Sequence, residues 1–159
     1  MARTSAGILL YRHREGLLEV LLVHPGGPFF AGKDLGYWSI PKGEIDANDV
    51  DYEVTARREF LEEVGHPVPP GRLIELGSIR QKGGKTVYAW AIEGDIDPST
   101  MRSNFIEWPL FLRHTPEVDK WVYFGPGEAR RHIKETQIPL LERLEAALSA
   151  AHPAEGPHR

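Results

Sequence analysis

From Val50 to Val64 the chain has one regular shape open to it. Val50, Val54, Leu61 and Val64 recur at helical spacing, with Phe60 beside them. Asn48 or Asp49 is placed to cap the start. Asp51 and Glu53 set negative charge in the first turn, where the helix dipole favours it. Gly65 and then Pro67 end the helix. The same helix carries Glu59, Glu62 and Glu63 at i, i+3 and i+4, so three carboxylates project together, about 5–6 Å apart at Cβ. Arg58 and Glu62 are four apart and can pair. The apolar residues point elsewhere, which leaves the acidic face free for a ligand or water.

The segments on either side read as strands. Ala6 to Tyr11 and Leu17 to Val23 are apolar runs joined by the polar turn Arg12 to Gly16. His24 to Gly36 is dense in glycine and proline and is expected to be a long loop, carrying Phe29, Phe30 and Lys33. Tyr37 to Ile40 is expected to be a short strand, ended by Pro41-Lys42-Gly43, with a polar loop from Gly43 to Asp49. Leu73 to Gln81 and Thr86 to Ile92 read as a hairpin turning at Gly83-Gly84. Gly94 to Asp119 is irregular, with a helical turn opening at Asp97-Pro98. Trp121 to Phe124 is a further strand, and a short helix runs from Gly125-Pro126 through Ile133. The last helix spans Ile138 to Ala151, with Leu140, Leu141, Leu144 and Leu148 as its buried stripe.

This order predicts an α/β fold: a mixed sheet with helices on both faces. One domain over residues 1–152 accounts for it, and the tail 153–159 is expected to be disordered. The composition is 41% hydrophobic and 26% charged, the balance of a folded domain. With no cysteine, disulfides, thiolate metal sites and cysteine nucleophiles are excluded. A net charge of −4 does not suit coating a nucleic acid polymer, though focused cations or a metal would still hold a small polyanion. No run approaches a membrane span or a signal segment, so no membrane partner is expected and the cytoplasm is the expected compartment.

Three carboxylates on one helix face repel, at roughly 0.2–0.5 kcal/mol per close pair. A hard divalent cation reverses that sign, and an all-oxygen donor set points to Mg²⁺ or Mn²⁺ rather than zinc. A lone Glu-Glu pair is ordinarily solvated surface. Here the context is different, because the helix follows a strand and a Pro-Lys-Gly loop and ends in glycine.

Gly43 and the run Arg58-Glu59-Phe60-Leu61-Glu62-Glu63-Val64-Gly65 resemble the signature box of the Nudix family, and Trp38 to Gly43 resembles the strand and turn that lead into it. The chain departs from the box in three places. Gly43 lies one residue further from Gly65 than the pattern has it. Val50 stands where the first box Glu belongs, with Asp49 and Asp51 on either side of it. His66 takes the last apolar position.

The resemblance implies a Nudix α/β/α sandwich that hydrolyses a nucleoside diphosphate-linked compound with Mg²⁺ or Mn²⁺. It assigns Glu62 and Glu63 as metal ligands, Glu59 as ligand or base, and Arg58 as the group orienting a carboxylate. A backbone carbonyl of Lys42 or Gly43 adds to the metal set. A glutamate from a later loop serves as general base, with Glu107 and Glu117 as candidates and Glu117 preferred. Lys42, Lys33, Arg80, Lys82 and Lys85 are candidates for the phosphates, with Lys42 the strongest because it precedes the box glycine. Phe29, Phe30, Trp38 and Tyr88 are candidates for stacking a base, with Trp38 and Tyr88 better suited to core or pocket wall because they lie in expected strands. The expected substrate is a small nucleotide, either a nucleoside triphosphate or a dinucleoside polyphosphate, acted on by a monomer or homodimer. The alternative is a Nudix-fold sensor that binds nucleotide without turnover, although such proteins usually lose box carboxylates and this chain keeps all three.

Overall fold

The computed structural model describes residues 3–151. β1 (Thr4–Arg14) and β2 (Leu17–Pro25) form an antiparallel hairpin whose turn puts Glu15 and Gly16 at φ 54° and 81°. Two successive residues in the left-handed region match the strand twist, which is why so short a connection closes. β1 sits at the centre of a six-stranded mixed sheet. β4 (Ile74–Arg80), β5 (Thr86–Glu93), β1, β2 and β6 (Val118–Phe124) follow one another, and β3 (Lys42–Glu44) pairs with β1 off that path. β5 runs parallel to β1 and the other pairings are antiparallel.

A central strand is apolar on both faces, and successive side chains alternate between them. Ala6, Ile8 and Leu10 face one layer with Ala56, Phe60 and Val64 of α1 (Tyr52–Val64). Leu9 and Tyr11 face the other with Leu140, Leu141 and Leu144 of α3 (Ile138–Ala151), beside Ala129 of α2 (Pro126–His132). Each large side chain so buried contributes about 1.5–3 kcal/mol. The fold class is the expected one. Among the described residues no helix is long and apolar enough to cross a membrane. The expected disordered tail, Pro153 to Arg159, lies outside the described residues.

Several local expectations are corrected. Trp38 and Ser39 make only isolated bridges, to Ile133 and Val23, so Tyr37 to Ile40 is not a strand; the strand falls on Lys42–Glu44 instead. The cap of α1 is neither Asn48 nor Asp49 but Asp51, whose carboxylate accepts the Val54 N–H at 2.8 Å, and the helix starts two residues later than expected.

The buried side of α1 is also different. Val50 is 86% exposed, and Val54 and Leu61 are exposed as well, whereas Thr55, Ala56, Phe60, Glu63 and Val64 are buried. The inward stripe runs through Ala56, Phe60 and Val64, and Glu63 borders it because it directly precedes Val64. The acidic face is therefore partly buried rather than wholly open.

Candidate active site

The C-terminus of α1 is where the chain assembles its acids. A helix leaves its last carbonyls without partners, and here each of the last four finds one. Gly65 N–H donates to Leu61 O at 2.8 Å, Asn104 N–H to Glu62 O at 2.8 Å, the Trp121 indole to Glu63 O at 2.7 Å, and Arg102 N–H to Val64 O at 2.9 Å. Gly65 makes this possible. It sits at φ 80°, and a Cβ there would come within 2.8 Å of Arg102 O. These bonds dock the 102–104 segment on the helix end and bring the Asn104 side chain to the acids.

Asn104 then links two of them. Its Nδ2 donates to Glu117 Oε1 at 3.1 Å and to Glu62 Oε1 at 3.4 Å. Glu117 is held at its backbone too, since its N–H donates to Asn104 O and its C=O accepts from Gly26 N–H. Glu107, the other candidate base, stands beside Trp108 in a cleft that Glu62, Asn104 and Glu117 also border. Sequence reasoning missed Asn104. It stands in an irregular stretch, and only the docking of that stretch gives it a role.

Arg58 organises the opposite flank. It ion-pairs with Asp49, with Glu59 Oε2 at 3.2 Å and with Glu62 Oε2 at 3.4 Å. Of the two acids beside the vacant box position, Asp49 thus reaches Arg58 while Asp51 caps the helix. The longer loop is closed by Asp49 Oδ2, which accepts the Asp46 N–H. His66, in place of the box's last apolar residue, hydrogen-bonds Thr100 Oγ1 at 2.9 Å near the surface.

Glu63 is 7% exposed and accepts the Lys42 N–H at 3.4 Å. Gly43 lies directly against Glu59: a Cβ built on it would overlap that carboxyl group and come within 2.7 Å of its Cγ. Burial raises Glu59 to about 7, helped by the charge of Glu62. Burial, and then the neighbouring Glu117, push Glu63 well above the usual carboxylate range. Burial raises Glu62 as well. Burial is the leading cause for all three, and neighbouring carboxylates add to it.

This donor set fits Mg²⁺ or Mn²⁺, since every donor is a hard oxygen. Among the described residues no three acidic or histidine side chains close into a ready metal cage. Mg²⁺ does not need one: it binds through one or two carboxylates and keeps waters and substrate phosphates as further ligands.

The other candidates are placed as follows. Lys42 borders a recess with Glu63 and Glu117. Lys33 is exposed, with Nζ 5.9 Å from the Tyr37 ring centroid, and its carbonyl accepts from buried His24 at 2.6 Å. Trp38 is 4% exposed, its indole donates to Asp34 at 2.8 Å, and its ring packs on His24 and Phe124. Trp38 is therefore a core residue. Tyr88 lies in β5 with its ring 4.7 Å from that of Tyr52. Phe29 stands edge-on to Phe111, while Phe30 stands against Tyr37. Lys134 was missed altogether: it borders the same recess as Lys42, although the two are far apart in sequence.

Residues 1–144 match the NUDIX domain family. The asymmetrical bis(5'-nucleosyl)-tetraphosphatase of Rattus norvegicus is 26% identical over 165 residues, covering 96% of this chain and 95% of its own length. Solved structures share the fold, two of them as follows. One is the NUDIX domain of Shewanella oneidensis NrtR complexed with ADP ribose (TM-score 0.68, 18% identity, 93% of this chain and 89% of that one). The other is a C. elegans Ap4A hydrolase binary complex (TM-score 0.64, 22% identity, 94% of this chain and 99% of that one).

Proposed function

The chain belongs to the NUDIX domain family, and from that premise we propose that it is a divalent-cation-dependent pyrophosphohydrolase of a nucleoside triphosphate or dinucleoside polyphosphate. The observation that supports this most is the convergence of Glu59, Glu62, Glu63 and Glu117 beside Lys42, with Asn104 bridging two of the acids. Relatives named for tetraphosphate cleavage support the dinucleoside substrate.

Mg²⁺ or Mn²⁺, held by Glu59, Glu62, Glu63 and the Gly43 carbonyl, would neutralise the phosphoryl oxygens and activate the attacking water. The chain's own groups do the rest. Water forms a new bond to phosphorus, the phosphoanhydride P–O bond breaks, and Glu117 takes the water's proton. Asn104 steadies one Glu117 oxygen and leaves the other for that proton. Arg58 holds Glu59 and Glu62 in position by charge-assisted hydrogen bonds. Lys42 sets a positive charge against the phosphate chain.

A panel of nucleoside triphosphates, dinucleoside polyphosphates and ADP-ribose, assayed with Mg²⁺ and with chelator, tests this. Magnesium-dependent release of two phosphorylated products is expected from at least one of them. Tight binding with no hydrolysis of any would sink the proposal and leave the sensor in its place.

The carboxylates also predict a pH effect in metal-free protein. Glu59 is raised from about 4.5 in the unfolded chain to about 7 in the fold, and Glu63 is raised as well, so through that window the folded protein binds more protons than the unfolded chain. Their contribution to stability is complete below that window and is lost as pH rises through it. Thermal unfolding in chelator should show a lower Tm at pH 7.5 than at pH 5.5. Millimolar Mg²⁺ should narrow the difference, because it binds the ionised acids of the folded state.

A further inference from the structure

Lys82, Lys85 and Lys134 line a recess of about 420 Å³ beside Phe30 and Tyr37. Its inner end meets a second recess of about 220 Å³, walled by Lys42, Glu63 and Glu117. Tyr37 and Lys134 belong to both, so the two form one path leading outward from the acids. The lysines come from three separate parts of the chain: the entry to β3, the β4–β5 turn and the link after α2.

Surface lysines usually find acids or scatter. In this acidic chain the six lysines are Lys33, Lys42, Lys82, Lys85, Lys120 and Lys134, and all but Lys120 stand on or beside this path. Among the described residues none of them has a carboxylate at ion-pair distance. Lys42 and Lys134 are also partly withdrawn from water and feel each other's charge and that of Lys85. Glu135 lines the outer recess and Glu63 and Glu117 the inner one, yet none of these acids pairs with a lysine, and a polyanion between the converging ammonium groups would relieve their mutual repulsion. In the outer recess the Phe30 and Tyr37 rings stand 6.4 Å apart at 61° and offer apolar faces for a flat ring.

We infer that this path is an anion-binding limb for the phosphates beyond the scissile bond, with Lys85 and Lys134 setting specificity and the Phe30–Tyr37 pair receiving the distal nucleoside. The inference rests on the proposed activity, since the acids mark where the bond is cut. It selects, within that activity, a phosphate chain longer than a diphosphate and closed by a second nucleoside. A nucleoside triphosphate would leave the outer limb largely empty.

The test measures binding and so does not depend on turnover. Glu63→Gln protein without divalent metal is titrated calorimetrically with inorganic tetrapolyphosphate and with P1,P4-diadenosine tetraphosphate. It is compared with the same protein carrying Lys85→Met and Lys134→Met, or Lys85→Arg and Lys134→Arg. The Met pair should weaken both ligands at least about tenfold, and the Arg pair should restore most of the loss. Tighter binding of the dinucleotide than of the inorganic chain supports the nucleoside end of the limb. Equal affinity in the Met pair and its parent overturns the inference. If the limb binds as described but no nucleotide is hydrolysed by the unsubstituted protein, the proposed activity fails and the limb stands.

Discussion

Glu63→Gln is expected to lower kcat by roughly 10²–10³-fold, the loss typical when one group that stabilises developing charge is removed. The thermal midpoint should not fall. The amide has the shape of the carboxyl group and can still accept the Lys42 N–H, now 3.4 Å from Glu63 Oε1. Glu63 is buried, and its charge is disfavoured by burial and by Glu117. Replacing it by a neutral group removes a repulsion from the metal-free fold, so Tm should hold or rise. Steady-state kinetics with Mg²⁺, beside thermal unfolding in chelator, separates the two effects. Full activity in the variant would remove Glu63 from the chemistry, and a collapse in Tm would mean that it serves the fold instead.

Gly43→Ala should behave almost as severely, for a steric reason. Gly43 lies in β3 opposite Ala6, outside the left-handed region, so its backbone accepts a side chain. The new methyl group meets the Glu59 carboxyl group, and that group is the far end of a flexible side chain. The side chain can turn aside at a stability cost of about 1 kcal/mol. What it loses is position. A displacement of about 1 Å can cost on the order of 10²-fold in rate. Activity should therefore fall about a hundredfold with a near-normal unfolding curve. Unchanged activity would show that Glu59 need not lie against Gly43.

The two variants test residues whose legibility in the sequence was unequal. The spacing of Glu59, Glu62 and Glu63 made a shared helical face visible at once, because helical pitch alone brings such residues together. Which part of that face lies inside was not visible. Val50, Val54 and Leu61 satisfy the helical period yet stand exposed, because a period describes an axis and not the neighbour packed against it. The strand expected at Tyr37 to Ile40 failed for a related reason. That segment has strand composition, but only isolated bridges form there, and the ladder to β1 falls on Lys42–Glu44.

The sequence by itself determined the layered α/β class, the central helix and the trio of acids, since each follows from local periodicity and spacing. Tertiary structure decided what completes the trio. Asn104 and Glu117 reach it because the helix end needs partners for its carbonyls, and the 102–104 segment supplies them. Lys134 meets Lys42 and Lys85 because a helix link and a β-turn close on the same recess. Contacts between residues so far apart depend on how layers dock, and no pattern along a single chain encodes that docking locally.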